Sequence, residues 1–188
     1  MFPNDRSVTR MVRTGGLSKP ELLAEFQKRG IELNDAGNAL FAHSLFTTSA
    51  TISVVETVEI PVVELGYQKG ATTAQIHERA VRFGLSLCPL ELGPHLRLQF
   101  LDQPEGFWGH PPSIHRAPPG SITVASHPLT QDDDDPKGFY LRCIKGVLWL
   151  RGYRCTAQHI WNPEDRLIFC VAHDTVRREI PADLAPRR

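Results

Sequence analysis

From Gly138 to Arg154 the chain reads GFYLRCIKGVLWLRGYR, with apolar residues at alternate positions on both sides of Lys145-Gly146. Two such runs around a two-residue connection containing Gly predict a β-hairpin. The turn then sets the register. Ile144 faces Val147, Cys143 faces Leu148, Arg142 faces Trp149, Leu141 faces Leu150 and Tyr140 faces Arg151. Side chains alternate across a strand, so two faces separate. Phe139, Leu141, Cys143, Leu148 and Leu150 form a core face. Tyr140, Arg142, Trp149, Arg151 and Tyr153 form an aromatic and guanidinium platform.

Upstream, the pattern turns helical. Ser18 and Glu21 fit a capping box, with Leu22, Leu23 and Phe26 as the apolar stripe and Gly30 as the stop. Asn34 is a second N-cap, opening a helix to about Phe46 with Ala36, Ala39, Leu40 and His43 as candidates for its inward face. Residues 52–60 are β-branched and read as a strand that breaks at Pro61. Thr72 and Gln75 fit another capping box, for a helix to about Phe83 with Ile76, Ala80 and Val81 buried. Between 85 and 106 the leucines fit both a strand (Leu96, Leu98, Phe100) and a short helix after Pro89. Strands are expected again at Ser121–Leu129 and Arg166–Ala172, around a Pro/Gly-dense loop at 107–120 and the acidic turn Asp132–Asp135.

These elements predict an α+β fold, with N-terminal helices packed on a C-terminal antiparallel sheet, a meander that includes the 138–154 hairpin. The organisation expected is a flexible arm (1–16), one domain (17–180; helical to about 86, β-rich over about 87–175) and a flexible tail (181–188). A chain of 188 residues can bury roughly 70% of its unfolded surface without metal or disulfide staples. The 21 basic residues equal the 21 acidic ones, which disfavours a nucleic-acid partner drawn by net charge. No signal-peptide pattern and no apolar run of spanning length is present, so a cytoplasmic protein without a membrane partner is expected. Cys88, Cys143, Cys155 and Cys170 form no C-x-x-C pair and read as structural free thiols.

Candidate chemistry lies in three places. The platform suits an anion, because arginine grips carboxylate and phosphate with paired hydrogen bonds, and its rings can stack bases. The same residues also suit plain cross-strand cation–π pairing. His95, Arg97, Asp102 and Glu105 fall within eleven residues, which permits general acid/base work by His95 with a carboxylate, or turn-fixing by the carboxylates. His110, His115 and His127 match no zinc motif, Asp132–Asp135 lack the spacing of a calcium loop, and no metal or cofactor is expected. Cys155 and His159 are near enough in sequence to form a thiol–imidazole pair.

The segments LCPLELGPHLRLQFLDQPEG (87–106), PKGFYLRCIKGVLWLRGYR (136–154) and HIWNPEDRLIF (159–169) resemble an uncharacterised family of small bacterial proteins, some labelled helicase. The likeness runs from about Leu17 to Phe169 and implies no specific activity. The chain contains no G-x-x-x-x-G-K-[ST] phosphate loop to support a helicase. The expectation is a cytosolic binding or regulatory module for an anionic small molecule or a protein partner, with Arg97 joining Tyr140, Arg142, Trp149, Arg151 and Tyr153 at the site. The rival readings are a metal-independent hydrolase using His95 with Asp102 or Glu105, and a single-stranded nucleic-acid binder.

Overall fold

The computed structural model describes residues 6–106 and 118–172. In chain order the elements are β1 (Val8–Thr14), α1 (Lys19–Arg29), β2 (Glu32–Leu33), α2 (Asp35–Ala42), β3 (Ser53–Pro61) and a 3₁₀ turn (Val62–Leu65). There follow β4 (Ala71–Thr72), α3 (Thr73–Arg82), β5 (Leu85–Ser86), α4 (Leu92–Gln99), β6 (Ile122–Val124), β7 (Gly138–Ile144), β8 (Val147–Tyr153), β9 (Ile160–Trp161) and β10 (Arg166–Val171). The fold is α+β.

Local signals formed as their chemistry dictates. Glu21 accepts from the Ser18 N–H at 2.8 Å, and Gly30 closes α1 at φ 63°. Thr72 and Gln75 close a reciprocal box at the start of α3. The hairpin register is the one its turn specifies, from Gly138 opposite Tyr153 to Ile144 opposite Val147. Both central turn residues, Lys145 and Gly146, have positive φ (50° and 73°), which matches the right-handed twist of the flanking strands. The ambiguous leucine run is a helix, α4, and not a strand. Val81 and Ala39, expected inward, are exposed.

The sheet departs from the expected antiparallel meander. Its order is β1-β3-β10-β6-β7-β8-β2, with β5 also on β10. β6 runs parallel to β10, and β2 parallel to β8. The sheet is mixed, and the N-terminal half supplies β1, β2 and β3 to it, so helices and strands are not segregated by half. The reason is burial on both sides. In β10, Ile168 and Cys170 enter one apolar cluster while Leu167 and Phe169 enter another, as a central strand requires. The expected arm is also corrected, because residues 8–14 are β1, an edge strand. Val12 is buried, and the buried Glu59 of β3 binds both Arg10 of β1 and Arg166 of β10. The tail at 181–188 lies outside the described residues.

Helices α1, α2 and α4 cover one face of the sheet around Phe139, Leu141 and Leu150. On the other face, α3, the 3₁₀ turn and the β4-β9 ribbon cover only the β3-β10 side, around Val58, Ile60 and Phe169. The N-terminus of α2 is seated closely on β8. A Cβ on Gly152 would lie 2.5 Å from the Ala36 carbonyl carbon, and the Asn34 amide exchanges two hydrogen bonds with the Gly152 backbone, at 2.8 and 3.0 Å. No helix among the described residues is long and apolar enough to cross a membrane.

Candidate functional site

The two clusters of candidate chemistry fall on opposite faces of β7. Helix α4 lies on the covered face, with Leu92, Leu96 and Leu98 in the core. His95 is 4% exposed, and its Nε2 accepts the Gly15 N–H at 3.0 Å. Burial lowers its pKa, while Glu91, 4.0 Å away, acts in the opposite sense. A neutral imidazole that accepts a backbone N–H holds the chain entering α1. Among the described residues, no hydrogen bond or ion pair joins it to Asp102 or Glu105. The expected acid/base group is therefore not assembled.

Arg97 is corrected in the same way. It is 0% exposed and bound to Gln103 Oε1 and to the Phe100 carbonyl. Burial pushes it down to about 10, opposed by Cys143 and Asp102. Gln103 in turn donates to the Gly120 and Leu141 carbonyls at 2.9 and 3.2 Å. Arg97 is thus the centre of a clamp that ties the 100–106 segment to β7; its Nε has no hydrogen-bond partner among the described residues, but the side chain has no exposed surface on which to meet a ligand. Glu105 carries out the turn-fixing alternative, though on backbone and not on an arginine. Its carboxylate accepts from Lys145 N at 2.7 Å and Gly146 N at 3.3 Å, which offsets the strain of a non-Gly residue at positive φ.

On the opposite face, Tyr140, Arg142, Trp149, Arg151 and Tyr153 share one side of the hairpin, as alternation requires. They do not form an open platform. Arg142 is 3% exposed and lies against Gly106. The other four are partly buried. Arg151 stacks along its own strand on Trp149, with its guanidinium carbon 5.1 Å from the ring centre, instead of across the hairpin. Burial lowers the Arg142 pKa; Tyr140 raises it and the neighbouring Arg151 charge lowers it further.

Beside this patch is a cleft of about 400 Å³. Tyr140 and Tyr153 line it from the hairpin, Thr123 from β6, Trp161 from β9, and Asp133, Arg154, Cys155, Thr156 and His159 from the connecting loops. Trp161 is fixed by its own indole N–H, which donates to Thr73 Oγ1 at 2.9 Å. Tyr153 and His159 both meet its ring edge-on, at 5.7 and 5.0 Å between centroids. Burial lowers the His159 pKa, with Asp165 raising it. Burial raises those of Tyr153 and Cys155. Cys155 and His159 thus share a cleft as a protonated thiol and a neutral imidazole, which is not an activated pair.

Sequence reasoning missed Trp161, Thr123, Asp133 and Arg154 as lining residues. Trp161 opens the Asn162–Asp165 turn, and an aromatic side chain at a polar turn was its only signal. The acidic run is a folded turn: Asp134 N donates to Asp132 Oδ1 at 3.0 Å, and Lys137 binds the Asp132 carbonyl and approaches Asp133 at 3.9 Å. Cys88, Cys143 and Cys170 are buried free thiols, and Cys155 is a half-buried one. His110 and His115 lie outside the described residues, among which no three His, Cys, Asp or Glu side chains group as a metal site. No family model, curated protein or solved structure matches the chain, so the site is interpreted from its own chemistry.

Proposed function

We propose that the chain is a cytosolic small-molecule-binding module, and that its ligand pairs a flat ring with an anionic group. One observation carries the reading. Arg151 sits half-buried on Trp149 beside the cleft, and its guanidinium has no hydrogen-bond acceptor among the described residues; its Nε is buried and unpartnered. A buried polar group without a partner is costly, and an incoming anion supplies one. The cleft next to it offers aromatic walls at Tyr140, Tyr153 and Trp161 for the ring. A concave site with aromatic walls and convergent polar groups at Thr123, Asp133, Arg154, Thr156 and His159 suits a small molecule better than a flat protein surface.

The test is a thermal-shift screen of the full chain against ring compounds with and without a carboxylate or phosphate. A ligand present at 100 times its Kd stabilises the native state by about 2.7 kcal/mol, so an anionic ring compound is expected to raise Tm and its uncharged analogue to do so less. Equal shifts from both, or none, would remove the reading. The hydrolase reading has no assembled residues and is not taken further. A single strand would bind with steep salt dependence, which the neutral net charge disfavours.

A further inference from the structure

The spacing between the arginine and the cleft narrows the ligand class. Arg151 and Tyr153 are two residues apart on β8 and point to the same side, so roughly 7 Å of strand separates them. Tyr140, directly opposite Arg151, belongs to the cleft wall as well. An anion held by the Arg151 fork therefore lies one sugar's length from a ring seated against Tyr153 and Trp161. Asp133 and Thr156 line the same cleft and can bond hydroxyl or amino groups. We infer that the ligand is a nucleoside monophosphate or a close chemical relative, with its phosphate monoester at Arg151 and its ring in the cleft. This rests on the binding reading above.

Two features favour a dianionic phosphate over a carboxylate. Arg142 stands diagonally across the hairpin from Arg151 on the same face, at a cross-strand spacing of about 7 Å. Two guanidinium charges in one patch favour the anion of higher charge. Arg151 also presents a planar fork whose flat side is already occupied by Trp149, leaving its N–H edge for two oxygens of one group.

Phosphate charge provides the test. A phosphate monoester gains its second negative charge near pH 6, whereas a cyclic diester keeps a single charge throughout. Among the described residues, the titratable and charged groups in the patch and lining the cleft are Arg142, Tyr140, Tyr153, Arg154, Asp133, Cys155 and His159, with Lys137 and Asp165 acting on Cys155 and His159 from the adjoining turns. Burial moves His159 to the acid side of its ordinary value, and Cys155 and Tyr153 to the alkaline side. Calorimetry on the full chain should compare adenosine 5′-monophosphate, its 3′,5′-cyclic diester, adenosine and an aromatic carboxylate at pH 5 and pH 7.5.

The monophosphate is expected to bind tightest, and about fivefold or more tighter at pH 7.5 than at pH 5. Arg151→Gln should weaken it about tenfold or more and remove the pH response, while leaving adenosine unchanged. Equal binding of the monoester and the diester, without pH dependence, would overturn the inference. So would a carboxylate that outcompetes the phosphate through Arg151, although the broader binding reading would then stand. Failure of every ring-bearing anion would overturn both.

Discussion

Two arginines, Arg97 and Arg151, show how the faces of this sheet differ. Both are flanked by aromatic rings, Phe100 and Trp149 respectively. Arg97, under α4, is fully buried and committed to Gln103 and the Phe100 carbonyl. Arg151, on the other face, meets no acceptor among the described residues and stands opposite Tyr140, which lines the cleft. The same guanidinium is a structural clamp where Gln103 and the Phe100 carbonyl supply acceptors, and at Arg151, where none is supplied, it is the group to which the proposed function assigns an anion. Stability should therefore be concentrated on the first face and recognition on the second.

The largest effect that tests this division is expected at Phe139, which is 0% exposed and packs against Phe41, Phe46 and Gly93. Phe139→Ala should cost about 3–5 kcal/mol in chemical denaturation. A loss below about 1 kcal/mol would mean that the covered face is not the core. Arg97→Ala comes next. It strips the donor from Gln103 Oε1 and from a carbonyl, both within a buried network, and should cost about 3 kcal/mol. If Arg97→Ala cost no more than Arg151→Ala, the contrast between the two arginines would fail.

A third test uses pH. Burial holds His77, which meets Phe169 edge-on from α3, down to about 4, with His127 adding to the shift. Its folded pKa lies below the ordinary value of 6.5, so unfolding takes up a proton between the two. Stability from this group is complete above about pH 6.5 and is lost as pH falls towards 4, by about 3 kcal/mol. His95 and His159 act in the same direction. Denaturation at pH 7 and pH 4.5 should show a smaller loss in His77→Gln than in the parent chain. A smaller effect is expected at Glu105. Glu105→Ala leaves the Lys145 and Gly146 amides to water and should cost about 1 kcal/mol, seen as faster amide exchange at the hairpin turn.

What could be read from the sequence was local. The hairpin register depends on a two-residue turn and period-2 alternation, and the capping boxes depend on residues three apart, so each was written in one short segment. Helix α4 was not, because Leu92, Leu96 and Leu98 satisfy two periods at once. Strand β1 was hidden because Arg10 and Arg13 make it look like solvated chain; the Glu59 that pairs with Arg10 lies 49 residues away. The parallel pairing of β6 with β10 joins residues over 40 positions apart, and no local signal encodes it. The cleft was hidden for the same reason, since its walls come from Thr123, Asp133, Tyr140, Tyr153 and Trp161 in separate segments. Residue type alone placed Arg97 and Arg151 in one site; what separates them is that the two terminal nitrogens of Arg97 meet Gln103 and the Phe100 carbonyl while those of Arg151 meet no acceptor among the described residues.

The smallest expected stability effect is also the most discriminating. Arg151→Gln removes a charge that has no ion pair among the described residues and whose Nε is buried without an acceptor among them. What it loses is the cation–π contact with Trp149, about 0.5–1 kcal/mol at a partly exposed site. What it gains is relief of an unpartnered buried donor and of repulsion with Arg142, whose pKa is lowered by burial first and by the Arg151 charge in addition. The two nearly cancel, so the change in stability should stay within about 0.5 kcal/mol. A residue kept only for the fold would not be neutral to lose, and a residue kept for a ligand would be. Denaturation of Arg151→Gln alone and with an anionic ring compound separates the cases: parity without ligand and a lost ligand-induced Tm shift mark a receptor. A loss of 2 kcal/mol or more without ligand, as for Arg97, would make Arg151 a second clamp.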